Sequence, residues 1–209
     1  MSRKWKVALG FAVLLALYVT SSILTRKYWV QSFRTPSMSM SPTILEGDYF
    51  LVDKHSYRQR EPRRGEVVAY QTDGEIFISR VIGMPGDRVE LRDGVLSIDG
   101  EVVREQPTSD TVAVGSKKLQ LPVTRQSLGG VTFLITRLPD AVERGFEPRV
   151  VAPDHYLLLS DFRNNAMDSR FKGDIERATL LGPVTSIYFS VDPAGGVRWD
   201  RIGHNTYAP

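Results

Sequence analysis

The sequence contains no cysteine, which excludes disulfides, thiolate nucleophiles and cysteine-held zinc or iron–sulfur centres together. That absence does not fix the compartment, because many exported proteins lack disulfides. Histidine is scarce: His55, His155 and His204 stand far apart in no ligand spacing, and no residue cluster suggests a metal or an organic cofactor. Charge of one sign is scarce as well. The 27 Lys+Arg against 24 Asp+Glu leave +3, too small and too scattered an excess for a nucleic-acid footprint. Internal repeats and low-complexity tracts are missing. What remains is a chain of 209 residues, 42% hydrophobic and 24% charged, long enough for one to two domains with a sizeable core and neither disordered nor membrane-embedded throughout.

The apolar content is unevenly spread. Val7 to Leu24 runs eighteen residues without a charge, about 27 Å as a helix, close to the hydrocarbon thickness of a bilayer. Trp5 precedes it and Tyr28 and Trp29 follow, where interfacial aromatics belong. Arg3, Lys4 and Lys6 with the amino terminus outweigh Arg26 and Lys27, so the positive-inside rule favours a cytoplasmic N-terminus and an external remainder. The run is longer than the apolar part of a usual cleaved signal peptide, and Thr25-Arg26-Lys27 is a poor cleavage neighbourhood. The expectation is an uncleaved single-pass signal-anchor over 1–27 and an extracytoplasmic body over 28–209.

That body has a different texture. Tyr49–Val52, Glu66–Tyr70, Ile76–Ile78, Tyr156–Leu159 and Thr185–Ser190 are short apolar or alternating runs bounded by turn formers, as strands are. Between Asp87 and Val103 lie Asp93-Gly94 and Asp99-Gly100. Asp-Gly supplies the positive φ values of two-residue turns, so two consecutive hairpins are predicted. No helical apolar period of convincing length follows the anchor. The fold class is therefore mostly β, an N-terminal transmembrane helix followed by an antiparallel β-sheet domain. Residues 104–148, with Lys117-Lys118 and Gly129-Gly130, are more weakly patterned and read as an insertion with small strands of its own.

Shortly after the anchor comes TPSMSMSPTIL, Thr35 to Leu45. Ser37, Ser39 and Ser41 between Pro36 and Pro42 make a stiff polar loop. Such a loop is more often a turn than an active site, but beside a membrane it is placed to meet membrane-bound substrates. The segment resembles the nucleophile box P-S-x-S-M-x-P-T-L of bacterial type I signal peptidases, with Ile44 before Leu45 as a variation. The resemblance continues in order. Gly47 to Lys54 looks like the next family strand, and Pro62 to Val68 is similar to its R-G-D-V-V motif. Ser79 to Asp87 resembles its K-R-x-x-G-x-P-G-D box, and Ser160 to Arg170 resembles G-D-N-R-D-N-S-x-D-S-R. Arg198 to Gly203 also has the look of the family's C-terminus. Together these segments cover most of residues 34–203.

The resemblance implies a membrane-anchored serine endopeptidase of the inner membrane that removes signal peptides from exported preproteins after small residues. It implies Ser39 as nucleophile, with the Ser39 N–H and the Ser37 hydroxyl as oxyanion donors. Such donors contribute about 3–4 kcal/mol each in comparable sites. The substrate would lie extended, as an added β-strand. The partners implied are preproteins, the lipid bilayer and the secretion machinery, with no nucleic acid, cofactor or metal.

Two positions leave the pattern. The lysine that serves the family as general base falls at Ser79, with Arg80, Gly83, Pro85, Gly86 and Asp87 all in register. A lysine serves because burial lowers its pKa towards neutrality. A serine hydroxyl has no comparable basicity, and the Arg80 guanidinium is never deprotonated. The family serine that bonds the lysine falls at Ala166. Lys172 is the best remaining amine, although a solvated surface lysine is the plainer reading. Lys54, Lys117 and Lys118 read as structural or solvent-facing, and His155 and His55 as poor candidates. Arg80, Asp168 and Arg170 read as supports of the site, and Asp161 as a cap of its loop. Two functions stay open. One is a signal peptidase acting through Ser39 with a substitute base or water. The alternative is a catalytically impaired pseudopeptidase that grips signal-peptide-like strands as an assembly or chaperone factor. A relative that processes pilin or conjugation substrates shares the fold and nucleophile.

Overall fold

The computed structural model describes residues 3–207, without the side chains of 3, 6–8 and 24–28. In chain order the elements are α1 (Arg3–Tyr28), β1 (Val30–Arg34), β2 (Asp48–Asp53), α2 (Ser56–Gln59), β3 (Val67–Thr72), β4 (Glu75–Gly83), β5 (Arg88–Arg92), β6 (Val95–Ile98), β7 (Glu101–Val102), β8 (Arg104–Val114), β9 (Leu119–Leu128), β10 (Val131–Thr136), β11 (Phe146–Val150), β12 (His155–Leu159), α3 (Ser169–Lys172), β13 (Ile175–Glu176) and β14 (Leu180–Ser190). After α1 the described chain is an antiparallel β structure, as the short alternating runs require. β1-β2-β14-β3-β4-β12-β13 form a seven-stranded sheet, β11-β5-β6-β7 a four-stranded one and β10-β9-β8 a three-stranded one.

The two Asp-Gly hairpins form where the sequence places them. Asp93 and Gly94 have φ of 52° and 77°, and Asp99 and Gly100 have 53° and 84°, the left-handed pair that a type I′ turn needs. β14 bends across the sheet, with its register shifting between its β2 and β3 neighbours. Gly182 sits at that bend with φ 156°, and a Cβ there would lie 2.0 Å from the Asp53 carbonyl oxygen. Only glycine lets the two backbones approach this closely.

The interior is divided among packed clusters. One joins the seven- and four-stranded sheets through Ile82, Val89, Leu91, Leu96 and Leu157, with Phe133 and Ile135. Another gathers Met40, Ile44, Phe50, Val52, Val67, Ala69 and Val184 beneath the β1–β2 connection. A third lies between that connection and the three-stranded sheet, where Val112, Val114, Leu121, Val123 and Phe162 pack against Met38 and Leu45.

α1 is 26 residues long, and Leu9, Phe11, Leu14, Leu17 and Ile23 stand exposed along it. Among the described residues no helix is long and apolar enough to cross a membrane, so the expected single span is not confirmed. The expected apolar run extends onto side chains outside those described, at Val7, Ala8 and Leu24, as do Arg3, Lys6, Arg26, Lys27 and Tyr28 of its flanks.

Asp161 is more than the loop cap expected from sequence. Arg80 and Asp161 form a bidentate ion pair, Nε to Oδ1 at 2.8 Å and Nη2 to Oδ2 at 2.6 Å, with side chains 2% and 0% exposed. Arg80 also donates to the Gly65 carbonyl at 2.7 Å and to Thr43 Oγ1 at 3.0 Å. Thr43 in turn donates to Asp161 at 2.5 Å, and the guanidinium lies 4.5 Å from the Phe133 ring centroid. Removing one member of a buried pair strands the other. Asp161→Ala is therefore expected to lose about 3–5 kcal/mol of unfolding free energy. Urea unfolding checks this, and a loss below about 1 kcal/mol, the scale of an exposed pair, would contradict it.

Candidate active site

The segment between β1 and β2 is the connection of an antiparallel hairpin, closed at its neck by Thr35 N–H to Asp48 O and Gly47 N–H to Thr35 O, both 3.0 Å. Between those ends its side chains alternate. Met38 packs into the cluster against the three-stranded sheet, and Met40 and Ile44 are buried under the large sheet. Ser37 is exposed and Ser39 half-buried on the other side. The methionines thus turn the two serines outward. Backbone bonds fix the turn itself, Ser41 N–H to Met38 O and Phe162 N–H to Ser39 O, each 2.9 Å. The two expected oxyanion donors face each other: Ser39 N–H donates to Ser37 Oγ at 3.1 Å.

Ser37 and Ser39 open onto a groove of about 760 Å³. Its walls are Phe33, Arg34, Pro36 and Phe50 on one side, and Ile76, Phe77 and Ile78 of β4 on another. Ser160, Asn164, Asn165, Ala166, Met167 and Phe171 complete it. β4 is paired with β3 along Glu75–Arg80, but with β12 only from Arg80 onward. Its outer edge over 75–79 therefore carries no strand among the described residues.

Strand alternation fixes Ser79. With Arg80 turned to Asp161, Ser79 faces the opposite side of β4. It is 1% exposed and lies beneath the groove floor, donating to the Ile78 carbonyl at 2.8 Å and lying 3.1 Å from Ser160 Oγ. Because Ser79 spends its proton on Ile78, Ser160 is the donor in the pair. Tyr70 ends beside Ser79 with its hydroxyl buried and without a hydrogen-bond partner. Burial pushes that hydroxyl up to about 12, with Ser79 lowering it and Asp168 raising it as smaller effects. Tyr70 is thus neutral throughout the physiological range.

Asp168 and Arg170 form a bidentate pair at 2.8 and 2.6 Å, and Asp168 Oδ2 accepts the Ser160 N–H at 2.8 Å. The pair thus sets the position of a groove residue. Arg170 also donates to the Arg163 carbonyl. Burial pulls the neighbouring Arg163 guanidinium down to about 10, still cationic at neutral pH.

Among the described residues Ser39 Oγ has no hydrogen-bond partner, and the only charged side chain lining the groove is Arg34. Lys172 lies behind the wall. Its Nζ rests 4.1 Å from the Phe77 ring centroid and 3.6 Å from Asp73 Oδ2. Lys54 donates to Gln31 at 3.2 Å, Lys118 pairs with Asp192 at 3.2 Å, and Lys117 is exposed. His55 stacks on Trp29 at 4.6 Å, and His155 bonds the Pro153 carbonyl at 2.9 Å. None of these amines or imidazoles lines the groove.

Sequence reasoning passed over Ser160, Tyr70 and Met38. Ser160 had a signal, since it stands first in a box whose counterpart begins with glycine. Tyr70 and Met38 had none, because any strand tyrosine or loop methionine reads the same.

The chain matches the family model described as signal peptidase, peptidase S26, over residues 2–189. It is similar to a probable signal peptidase I-2 of Synechocystis sp., 31% identical over 192 residues, covering 88% of this chain and 72% of that one. It is 30% identical over 210 residues to a signal peptidase I of Aquifex aeolicus, covering 84% and 82% of the two chains. A crystal structure of a signal peptidase I from Enterococcus faecalis V583 shares 24% identity over 60% of this chain and 98% of its own, with a TM-score of 0.37, too low for the likeness to say anything of the fold.

The outward set of the serines depends on Met38, whose sulfur lies against Gly115 at the β8–β9 turn. Met38→Ala is expected to cost about 2 kcal/mol, the low end for a methionine truncation because the side chain is only half-buried. It should also speed hydrogen exchange at the Ser41 and Phe162 amides, while Met38→Leu leaves both measurements near the parent. Unchanged exchange in Met38→Ala would show that the loop holds its shape without this anchor.

Proposed function

The chain belongs to the peptidase S26 signal peptidase family, a family of serine endopeptidases, and from that premise we propose that it cleaves exported preproteins through Ser39. The observation that carries the assignment is Ser39 itself, half-exposed on a loop pinned from behind and facing a groove along which β4 presents an unpaired edge. An extended chain laid there gains backbone hydrogen bonds, as in other strand-addition complexes. Its scissile carbonyl would be attacked by Ser39 Oγ, and the oxyanion would take the Ser39 N–H and Ser37 hydroxyl after displacing the bond between them. Side chains near the cut meet Phe33, Phe50, Ile76, Ile78 and Met167, an apolar lining suited to small aliphatic groups. Arg80, Asp168 and Arg170 hold the frame and do not touch the reacting atoms.

The base is the weak point of this chemistry. Ser79 is buried and bonded to its own strand, and Lys172 is engaged with Asp73 and Phe77, which argues against either as proton acceptor in this arrangement. That favours a second reading, a pseudopeptidase that binds signal-peptide-like strands without cutting them. Without a positioned base the rate falls by about 10²–10⁴. Stabilisation of the oxyanion and binding can still leave residual turnover.

The proposal places α1 in the bilayer as a single-pass anchor, with a cytoplasmic N-terminus, an extracytoplasmic β domain and access to the secretion machinery. Its support is the uncharged run from Val7 to Leu24 and the exposed apolar side chains along the helix. Alkaline extraction of cell membranes should leave the chain in the pellet; release with peripheral proteins would remove the anchor.

On a preprotein, slow cleavage is expected from the parent and none from Ser39→Ala. Ser79→Lys/Ala166→Ser should raise the rate by about 10²–10⁴, the contribution of a positioned base. A parent with no Ser39-dependent cleavage that nevertheless binds a signal peptide would favour the pseudopeptidase.

A further inference from the structure

We propose that the groove accepts a primary alkyl amine beside Ser39, and that this amine, brought by the substrate chain or from solution, is the base that the protein's own residues do not supply. The inference rests on the peptidase reading of Ser39 and names what would make that site turn over.

The polar side chains around the nucleophile are Thr35, Ser37, Ser160, Asn164, Asn165 and Arg34. Hydroxyls and amides do not take up a proton near neutral pH, and a guanidinium already holds its own. The proton of Ser39 Oγ must therefore leave with a group from outside the chain. The surroundings select its chemical class. Arg34 lines the groove, and Arg144 lies against the ring of one wall, 4.7 Å from the Phe171 centroid, while Lys172, 4.1 Å from the Phe77 centroid, is offset by Asp73 at 3.6 Å. Neighbouring cations and partial burial both disfavour an ammonium, so a bound amine is biased towards its free base. A carboxylate begins as a far weaker base, with an ordinary pKa of about 4 against about 10 for an alkyl amine, and the same cations weaken it further, whereas they bring the amine towards neutrality. Ser160 supplies the acceptor. Since Ser79 donates to Ile78 at 2.8 Å and receives from Ser160 at 3.1 Å, Ser160 Oγ keeps lone pairs for an amine N–H. The alkyl stem would lie along Ile76, Phe77 and Ile78, where a lysine side chain of an extended substrate also fits.

The chemistry closes without another reactant. The amine nitrogen takes the Ser39 Oγ proton as Oγ bonds to the scissile carbonyl carbon. The resulting ammonium returns that proton to the leaving nitrogen as the C–N bond breaks. Water then adds to the acyl ester, giving one proton to the amine, and the ammonium protonates Ser39 Oγ as the ester bond breaks. The products are a carboxylic acid and an amine terminus, with the added amine unchanged.

The test uses the full chain in detergent and a peptide spanning a small-residue cleavage site, with ethylamine titrated at constant ionic strength. The cleavage rate is expected to rise by about 10², the lower end for a positioned base. It should follow the free-base fraction as pH rises. Tert-butylamine, similarly basic but bulky, should give little acceleration. Peptides carrying lysine or norleucine near the cut separate the sources. Faster cleavage of the lysine peptide without added amine assigns the substrate chain, and acceleration by ethylamine alone assigns a free amine. No acceleration in either arm, or equal acceleration in Ser39→Ala, overturns the inference. Should it be overturned while Ser79→Lys/Ala166→Ser cleaves through Ser39, the peptidase reading survives. If that variant is folded but inert, and the parent shows no Ser39-dependent cleavage, the peptidase reading falls as well.

Discussion

Three segments far apart in the chain meet at one guanidinium. Arg80 comes from the middle of β4, Asp161 from the turn after β12 and Thr43 from the loop between β1 and β2, and hydrogen bonds of 2.5–3.0 Å join them. A charge this deeply buried is strongly destabilising unless it is paired and well hydrogen-bonded. Here the fork on Asp161, the Gly65 carbonyl and Thr43 take four of the five N–H groups, which ties the three segments to one relative placement. Ser39 rides on the same loop as Thr43, Ser79 sits beside Arg80 on β4, and Ser160 precedes Asp161 after β12. The side chains around the groove are arranged by a contact that never touches a substrate.

Two other buried carboxylates extend the frame. Asp168 takes Arg170 on one side and the Ser160 amide on the other. Asp48, fully buried, takes Ser190 at 2.6 Å, Arg201 at 2.6 Å and Arg198 at 3.2 Å. Those two arginines continue to the carbonyls of Thr43 and Glu46 at 2.9 and 2.7 Å, so the C-terminal segment holds the far end of the serine loop. Breaking one member of such a network is strongly destabilising. Changing a small residue at the groove is not, because no buried charge is stranded. That asymmetry would allow Ser79 and Ala166 to differ from the pattern the resemblance implies while Arg80, Asp161, Asp168 and Arg170 keep to it.

How far the sequence could be read follows the same division. The Asp-Gly hairpins were legible because two adjacent residues dictate their φ values. β2 was legible from its alternation, with one buried face, and β3, the second half of β4 and β12 as short apolar runs buried on both faces. β8 was not, since much of its first half is exposed, and its partner β9 alternates only in part. The loop's polarity was plain, yet its anchoring through Met38 depended on a sheet the pattern did not reveal. The serine at position 79, where the resemblance implies a lysine, was visible as a letter. What fills that space was not, because the Ser79–Ser160 bond joins positions 81 apart in sequence. Asp161 was placed at the right loop but given a local role, when its partner lies on another strand.

The hydroxyl pair bears on what kind of site this is. A buried lysine amine carries a desolvation cost that two bonded hydroxyls avoid, so Ser79 with Ser160 should favour stability at the expense of reactivity, a familiar trade at functional sites. The exchange is incomplete, however. The Tyr70 hydroxyl is left buried without a partner, a condition worth about 1–3 kcal/mol against folding. The groove is still about 760 Å³ with Ser39 Oγ unbonded at its edge. A scaffold needing only rigidity gains from filling such a space. A binding groove does not, because its occupant supplies the missing contacts. The open wall beside β4, whose outer edge over 75–79 carries no strand among the described residues, therefore weighs towards a site that completes itself on binding an extended chain, whether or not that chain is then cut.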